Sequence, residues 1–149
     1  MILRPLAEVL PHAGDMILLD RIAHYDAESI VCLRQVTTDL PFVDALGQLP
    51  AWAGIELMAQ TIAAWSGCHA RDAGQAIRLG FLLGSRRYEA SAAHFVPGST
   101  LRIEATRTFH DEEGMGVFAC RIDAGDVSAQ ARLTVFSPPD SDTFLASLI

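Results

Sequence analysis

An apolar stretch from Leu49 to Ala70, in which Glu56 is the one charged residue, limits the folds that this chain can adopt. Pro50 suits the first turn of a helix, where the N–H group that proline lacks would have no partner. Apolar side chains then recur at helical spacing, at Ile55, Met58, Ala59, Ile62 and Ala63. Most positions between them are also apolar, and a helix that is apolar on every side is buried on every side. The pattern therefore predicts a central helix that ends near Gly74 and that the rest of the chain encloses.

The same stretch is about long enough to cross a bilayer, so a membrane helix is the first alternative. It contains Gln60, Ser66 and His69 in addition to Glu56. Polar and charged groups are costly at the depth of a bilayer. We therefore expect no membrane span and interpret the stretch as the buried helix of a globular protein.

Strand patterns occupy most of the remaining chain. A short helix is predicted at 3–10, where Pro11 ends it. β-Branched and aromatic residues, separated by turn residues, predict about six strands, at 15–22, 28–37, 77–88, 100–109, 115–123 and 127–136. A helix that is apolar all round needs a sheet packed around it. We expect an α+β fold in one domain over 1–149, with 137–149 as a loose tail.

Charge and cysteine content bear on the class of function. The net charge is −7 and no basic stripe is present, so nucleic-acid binding is not expected. The three cysteines lie far apart, without a CxxC pair or a Cys/His cluster, so we expect no metal and no cofactor. The first residues lack the apolar run and cleavage site of a secretion signal, and a cytoplasmic location is expected. The mean hydropathy of +0.26 indicates either an unusually apolar core or apolar surface covered by a partner subunit.

Three separated segments resemble the β-hydroxyacyl-acyl carrier protein dehydratases. The first, Leu10-Pro-His-Ala-Gly-Asp-Met-Ile-Leu-Leu-Asp-Arg21, is similar to that family's LPHR-x-P-x-LLxDR opening. The second, Pro50-Ala-Trp-Ala-Gly-Ile-Glu-Leu-Met-Ala-Gln60, is similar to its PGVLIVEALAQ helix. The third, Tyr88-Glu-Ala-Ser-Ala-Ala-His-Phe-Val-Pro-Gly98, is similar to the element that precedes a later strand. All three occur in the family's order over about residues 5–136, and the closer resemblance is to the predicted dehydratases of aryl polyene pigment clusters.

This resemblance implies the hotdog fold, in which an antiparallel sheet of about six strands wraps around one long central helix. It implies dehydration of a 3-hydroxyacyl chain, held on acyl carrier protein through phosphopantetheine, to the trans-2-enoyl form. The pathway would be fatty acid, polyketide or aryl polyene synthesis. The resemblance also implies a dimer, either of two copies or with another hotdog subunit. The chain departs from the family in the loop at 41–50, which is shorter and lacks the family's catalytic histidine.

Dehydration needs a base for the α-proton, an acid for the leaving hydroxyl and a group that polarises the thioester carbonyl. Glu56 is the predicted acid, because an apolar environment raises the pKa of a carboxyl group and keeps its proton available. Gln60 lies one helical turn later on the same face. Its amide is predicted either to hydrogen-bond Glu56 or the substrate, or to line the core and hydrogen-bond backbone groups. The N–H groups of Ala51 and Trp52 are predicted to polarise the carbonyl from the helix start. The Trp52 side chain is predicted to line an acyl tunnel or to pack in the core.

Four residues are candidates to replace the missing loop histidine. His12, in the first matching segment, is the preferred one. Asp44 lies in the shortened loop, where it would act with a water molecule and contact the substrate. His69 lies about 20 Å beyond Glu56 along the helix axis, too far for the same substrate atom. His94 is interpreted as a surface or packing residue.

Two arginines are candidates for binding the carrier protein, and two alternative functions remain: a non-catalytic subunit and a thioesterase. Arg86 and Arg87 are predicted either to meet the phosphopantetheine or the acidic helix of a carrier protein, or to form a solvated strand edge. Because the loop histidine is missing, the chain is alternatively a non-catalytic subunit that completes a heterodimer with an active dehydratase. A thioesterase, in which a carboxylate activates water, is the remaining alternative.

Overall fold

The computed structural model describes residues 1–138, in which one antiparallel sheet of six strands packs against one long helix. The helix is α1 (Gly54–Asp72). The strands, in chain order, are β1 (Arg21–Tyr25), β2 (Ser29–Gln35), β3 (Leu49–Pro50), β4 (Phe81–Ala90), β5 (His94–Phe95), β6 (Thr100–His110), β7 (Met115–Ala124) and β8 (Val127–Phe136). The large sheet has the order β1-β2-β6-β7-β8-β4, and β3 pairs with β5 in a small second sheet.

The side chains of β7 alternate between the two faces of the large sheet, as half-buried strands require. Phe118, Cys120, Ile122 and Ala124 are buried, whereas the residues between them are half-buried or exposed. The hairpin to β8 turns at Gly125, whose φ of 62° lies in the left-handed region that favours glycine. The β-branched and aromatic residues and the intervening turn residues of the sequence therefore predicted this part of the sheet correctly.

Helix α1 buries most of its surface between the sheet and the N-terminal segment. Leu57, Met58 and Ile62 are buried in the main core, and each contributes about 1.5–3 kcal/mol by leaving water. On another face, the helix approaches the N-terminal segment so closely that a Cβ atom at Gly67 would overlap the carbonyl group of Val9. The sequence of the helix therefore sets both what it buries and how near the N-terminal segment lies.

The N-terminal segment differs from the prediction. The predicted strand at 15–22 is wrong, because a 3-10 turn forms at Gly14–Met16 and β1 begins only at Arg21. The reason is a hydrogen-bonded clamp from the helix: Gln60 Nε2 donates to the Met16 carbonyl at 2.6 Å, and Leu18 N–H donates to Gln60 Oε1 at 2.9 Å. These backbone groups are satisfied by a side chain and need no neighbouring strand.

The remaining predictions of secondary structure are confirmed for the helix and the sheet and altered near the helix start and the N-terminus. The α+β class, the long helix and the antiparallel sheet are confirmed. The predicted helix at 3–10 is reduced to one 3-10 turn at Leu6–Glu8, and the predicted start at Pro50 precedes a 3-10 turn at Ala51–Ala53. Of the predicted loose tail, 139–149 lie outside the described residues, while Ser137 bonds Gly114 and Leu79. Within residues 1–138, no helix has the length and apolar character needed to cross a bilayer.

Substitution of Gly67 by alanine is expected to lower the free energy of unfolding by about 2–3 kcal/mol, because the added methyl overlaps the Val9 carbonyl. Equilibrium urea denaturation followed by circular dichroism measures this change. Gly80→Ala is the matched control: its Cβ meets no atom within 4 Å, and its effect should stay within about 0.5 kcal/mol. Equal stability of the two variants would contradict the close contact.

Gln60→Leu is expected to lower the free energy of unfolding by about 1–3 kcal/mol, because the buried Leu18 N–H and the part-buried Met16 carbonyl lose their partner. The same denaturation experiment applies, with the exposed Gln35→Leu as control. A Gln60→Leu variant with unchanged stability but lost activity would show that the amide serves the substrate and not the N-terminal segment.

Candidate active site

A cavity of about 530 Å³ opens along one face of α1. Glu56, Ala59, Ala63 and Ser66 line it from the helix, at the spacing of three or four residues that places side chains on one face. Its other walls come from the N-terminal segment, the approach to β4 and the hairpin between β6 and β7, and include Pro11, His12, Arg78, Phe81, Leu82, His110 and Met115. The volume lies within the range of roughly 300–1,000 Å³ that is usual for small-molecule sites.

Glu56 lines this cavity but is exposed in the single chain, and the prediction of a buried carboxyl group is wrong at this level. The helical face that carries Glu56 also carries Ala59, Ala63 and Ser66, none of which is fully buried. A carboxyl group keeps its proton near neutral pH when it is removed from water. For Glu56 to act as an acid, another surface must therefore close over the cavity.

His12 is the second predicted catalytic residue, and it lines the same cavity as Glu56. Its Nδ1 atom is buried and has no hydrogen-bond partner among the described residues. A buried polar atom without a partner carries a free-energy cost that a ligand can relieve. His12 therefore lines the cavity without a competing hydrogen bond at its Nδ1 atom among the described residues.

Gln60 also lines the cavity, but its amide is already used on both sides by Met16 and Leu18. The alternative in which backbone groups satisfy this amide is therefore the one that the structure has. Because His12 lies four residues before Met16, the clamp also fixes the segment that carries the histidine.

The helix start does not present the N–H group of Ala51 to a ligand, contrary to the prediction. Ala51 N–H donates to the Ala93 carbonyl at 2.9 Å, and the Ala51 carbonyl accepts the Tyr88 hydroxyl. Burial raises the pKa of Tyr88 to about 12, so this hydroxyl stays protonated as a donor. Ala51 therefore joins the helix start to β4 and β5.

Trp52 lies outside the core and outside the cavity, contrary to the prediction for its side chain. It is 56% exposed and contacts Phe42 edge to face, with ring centroids 5.1 Å apart. Asp44 also lies away from the cavity. Its Oδ1 accepts the N–H groups of Leu46 and Gln48, each at 2.9 Å, and this organises the loop before the helix.

The two remaining histidine candidates are likewise separate from Glu56. His69 Nε2 lies 2.8 Å from the Asp26 carbonyl, and its ring contacts those of Tyr25 and Trp65. His94 Nε2 lies 3.7 Å from Asp44 Oδ2. Neither histidine lines the cavity that contains Glu56.

A group of residues on a further wall of the cavity was not predicted from the sequence. His110 lies at the end of β6, and Arg107 lies over the ring of Trp65 at 4.8 Å while it pairs with Glu28. Their positions depend on the pairing of β6 with β2 and β7, which brings residues distant in sequence to the helix. No local motif marks these residues, so only the strand alternation would have suggested their face.

The cysteines have no place in this chemistry. Burial raises the pKa of the Cys32 and Cys120 thiols to about 12 and that of Cys68 to about 11. Such thiols carry no thiolate at neutral pH and are poor nucleophiles. Among residues 1–138, no group of histidine, cysteine and carboxylate side chains could hold a metal ion.

Comparison with solved structures identifies the fold. A chain of the dehydratase heterocomplex ApeI:P from Xenorhabdus doucetiae is 32% identical, with a TM-score of 0.87 over 96% of this chain and 97% of that one. Mutant thioesterase PA1618 from Pseudomonas aeruginosa is 18% identical, with a TM-score of 0.60 over 80% and 81% of the two chains. A hypothetical thioesterase from Streptococcus pneumoniae TIGR4 is 13% identical, with a TM-score of 0.62 over 78% and 84%. The two thioesterases share the fold alone, and the predicted hotdog fold is confirmed.

Sequence comparison identifies the family. No curated protein sequence matches the chain. The family model described as ApeP-like, ApeP dehydratase, matches residues 4–146, which is nearly the whole chain. The chain therefore belongs to the ApeP-like dehydratase family.

Proposed function

We propose that the protein dehydrates a 3-hydroxyacyl chain on acyl carrier protein to the trans-2-enoyl form, in aryl polyene or fatty acid synthesis. The observation that carries this proposal is that Glu56 and His12 line the same cavity. Membership of a dehydratase family supports the reaction type. We place the reaction in the cytoplasm, where the three buried cysteines stay reduced.

The two side chains suit the two proton transfers of the reaction. His12 accepts the α-proton, and the electron pair of the broken C–H bond forms the C=C bond. Glu56 donates its proton to the β-hydroxyl group, which leaves as water. One side chain gains a proton and the other loses one, so the step balances without an oxidant or a cofactor.

A partner subunit supplies the missing cover over Glu56 in this proposal. Strand β4 is an outer strand of the sheet, and almost all of its residues are exposed, including Leu82 at 41% and Leu83 at 55%. Among residues 1–138, β8 is the one strand that pairs with β4, and an outer strand with exposed apolar side chains is a site for another strand. We propose that a second hotdog subunit pairs along β4, and the similarity to a chain of a heterocomplex favours a different subunit over a second copy.

Arginine residues near β4 are proposed to meet the carrier protein. Arg86 and Arg87 are exposed, and Arg87 and Arg132 line a polar hollow of about 410 Å³. Guanidinium groups suit phosphate and carboxylate ligands, which are the charged groups of phosphopantetheine and of an acidic carrier helix. Because the whole chain carries a net charge of −7, this docking surface has to be local.

A second candidate function is that of a non-catalytic subunit. The loop at 41–50 has no histidine, and Glu56 is exposed in the single chain. In this case the chain shapes the shared cavity while the partner performs both proton transfers. Substitution of Glu56 separates the two functions.

Glu56→Gln is expected to remove about half or more of the dehydration rate of the complex, because one of the two cavities loses its acid. Formation of enoyl product from a 3-hydroxyacyl carrier protein measures the rate, and detection of free acid would instead indicate a thioesterase. Glu8→Gln, at an exposed site outside the cavity, is the control. An unchanged rate for Glu56→Gln would support the non-catalytic function.

Leu83→Asp is expected to weaken the complex with the partner subunit by about tenfold or more, because a charge replaces an apolar contact on the β4 edge. Analytical ultracentrifugation of the mixed subunits measures the dissociation constant. Ile2→Asp, at a residue that is 61% exposed, is the control and should leave it unchanged. Equal effects of both variants would place the partner elsewhere.

A further inference from the structure

A histidine–aspartate pair lies outside the cavity, next to the start of α1. Asp44 is fixed through Oδ1 by the N–H groups of Leu46 and Gln48. Its second oxygen, Oδ2, faces His94 Nε2 at 3.7 Å. A carboxylate that is itself held in place can orient a nearby imidazole ring. The two side chains are 41% and 35% exposed, respectively for His94 and Asp44, so the pair is open to a ligand.

The surface around this pair is unusually apolar. Three apolar residues near the pair are exposed: Phe42 by 44%, Trp52 by 56% and Val96 by 56%. Phe42 and Val96 lie two residues from Asp44 and His94 in the chain, and Trp52 lies two residues after Pro50, which pairs with His94. Phe42 has a φ of 77°, which is a rare conformation for a bulky residue and marks local strain. Strained backbone of this kind persists where the surrounding structure enforces it, and it clusters at functional sites. This combination distinguishes His94 from a histidine on an ordinary polar surface.

The direction of β4 determines which subunit's cavity the surface around His94 and Asp44 would face. The start of β4, at Phe81 and Leu82, forms a wall of the cavity. His94 follows the end of β4, at Ala90, by four residues. If two such edges pair antiparallel across a two-fold axis, the end of one strand lies beside the start of the other. The surface around His94 and Asp44 then faces the cavity of the opposite subunit and not the cavity of its own chain.

We infer that His94 is the histidine that this chain contributes to the cavity of its partner subunit, with Asp44 as its positioning residue. This inference rests on the proposed function. His94 accepts the α-proton of a 3-hydroxyacyl group bound in the partner's cavity, and the C–H electron pair forms the C=C bond. The partner subunit's own acid protonates the hydroxyl group, which leaves as water.

A matched control pair exists at the far edge of the sheet. His24 Nε2 lies 3.8 Å from Asp26 Oδ2, and its side chain is 56% exposed. Asp26 is held by backbone N–H groups as Asp44 is. His24 belongs to β1, which is the outer strand opposite β4. The two histidines thus share their local chemistry and differ in their position relative to the partner.

The test uses the complex of the chain with its partner subunit, in which the chain carries Glu56→Gln so that only the partner's cavity reacts. Adding His94→Asn is expected to lower the remaining rate of enoyl formation by about tenfold or more, whereas adding His24→Asn leaves it unchanged. Asp44→Asn, which keeps an oxygen acceptor for the loop, is expected to lower kcat more than it changes KM and to shift the pH–rate profile. Circular dichroism and ultracentrifugation confirm that each variant folds and pairs.

Three outcomes overturn the inference: a remaining rate that His94→Asn does not lower, a Glu56→Gln complex without any remaining rate, or equal losses for His94→Asn and His24→Asn. Failure of the proposed function is a different result, since the wild-type complex would then form no enoyl product. Chemical modification gives a second measurement. Diethyl pyrocarbonate is expected to modify His94 more slowly in the complex than in the free chain, while modification of His24 stays equal. Equal rates for His94 also count against the inference.

Discussion

Helix α1 buries most of its surface, and both the sheet and the N-terminal segment pack against it. Leu57, Met58 and Ile62 fill the core between the helix and the sheet, and burial of apolar surface is the main favourable term in folding. One face of the helix remains open, and this face carries Glu56. The same element that organises the core therefore presents the candidate acid, so the position of the cavity follows from the packing of the helix.

Much of the fold was predictable from the sequence because its signals are local. The apolar periodicity marked α1, and β-branched residues with intervening turns marked β6, β7 and β8. The N-terminal strand was predicted wrongly because Met16 and Leu18 bond the side chain of Gln60, and such a long-range partner leaves no periodic signal. Apolar residues alone do not distinguish a strand from a segment that is clamped by a distant side chain.

The site was predictable only where its residues belong to local sequence motifs. Glu56 and His12 come from motifs that lie within single segments, and they line one cavity. The exposure of Glu56 and of Trp52 could not be read from the sequence, because an apolar pattern does not say whether the chain itself or another subunit covers it. His110 was missed because strand pairing alone brings it to the cavity. Ala51 was misjudged because Ala93, which accepts its N–H group, is distant in sequence.

The two edges of the large sheet differ in a way that limits assembly. β4 is a ten-residue outer strand, whereas β1 at the opposite edge has five residues and an irregular register between Ile22 and His24. Short and irregular edge strands are poor templates for a further strand. If β4 pairs with one further strand, the sheet has no second long and regular edge strand to pair with. Growth into longer sheets or fibres is thereby disfavoured.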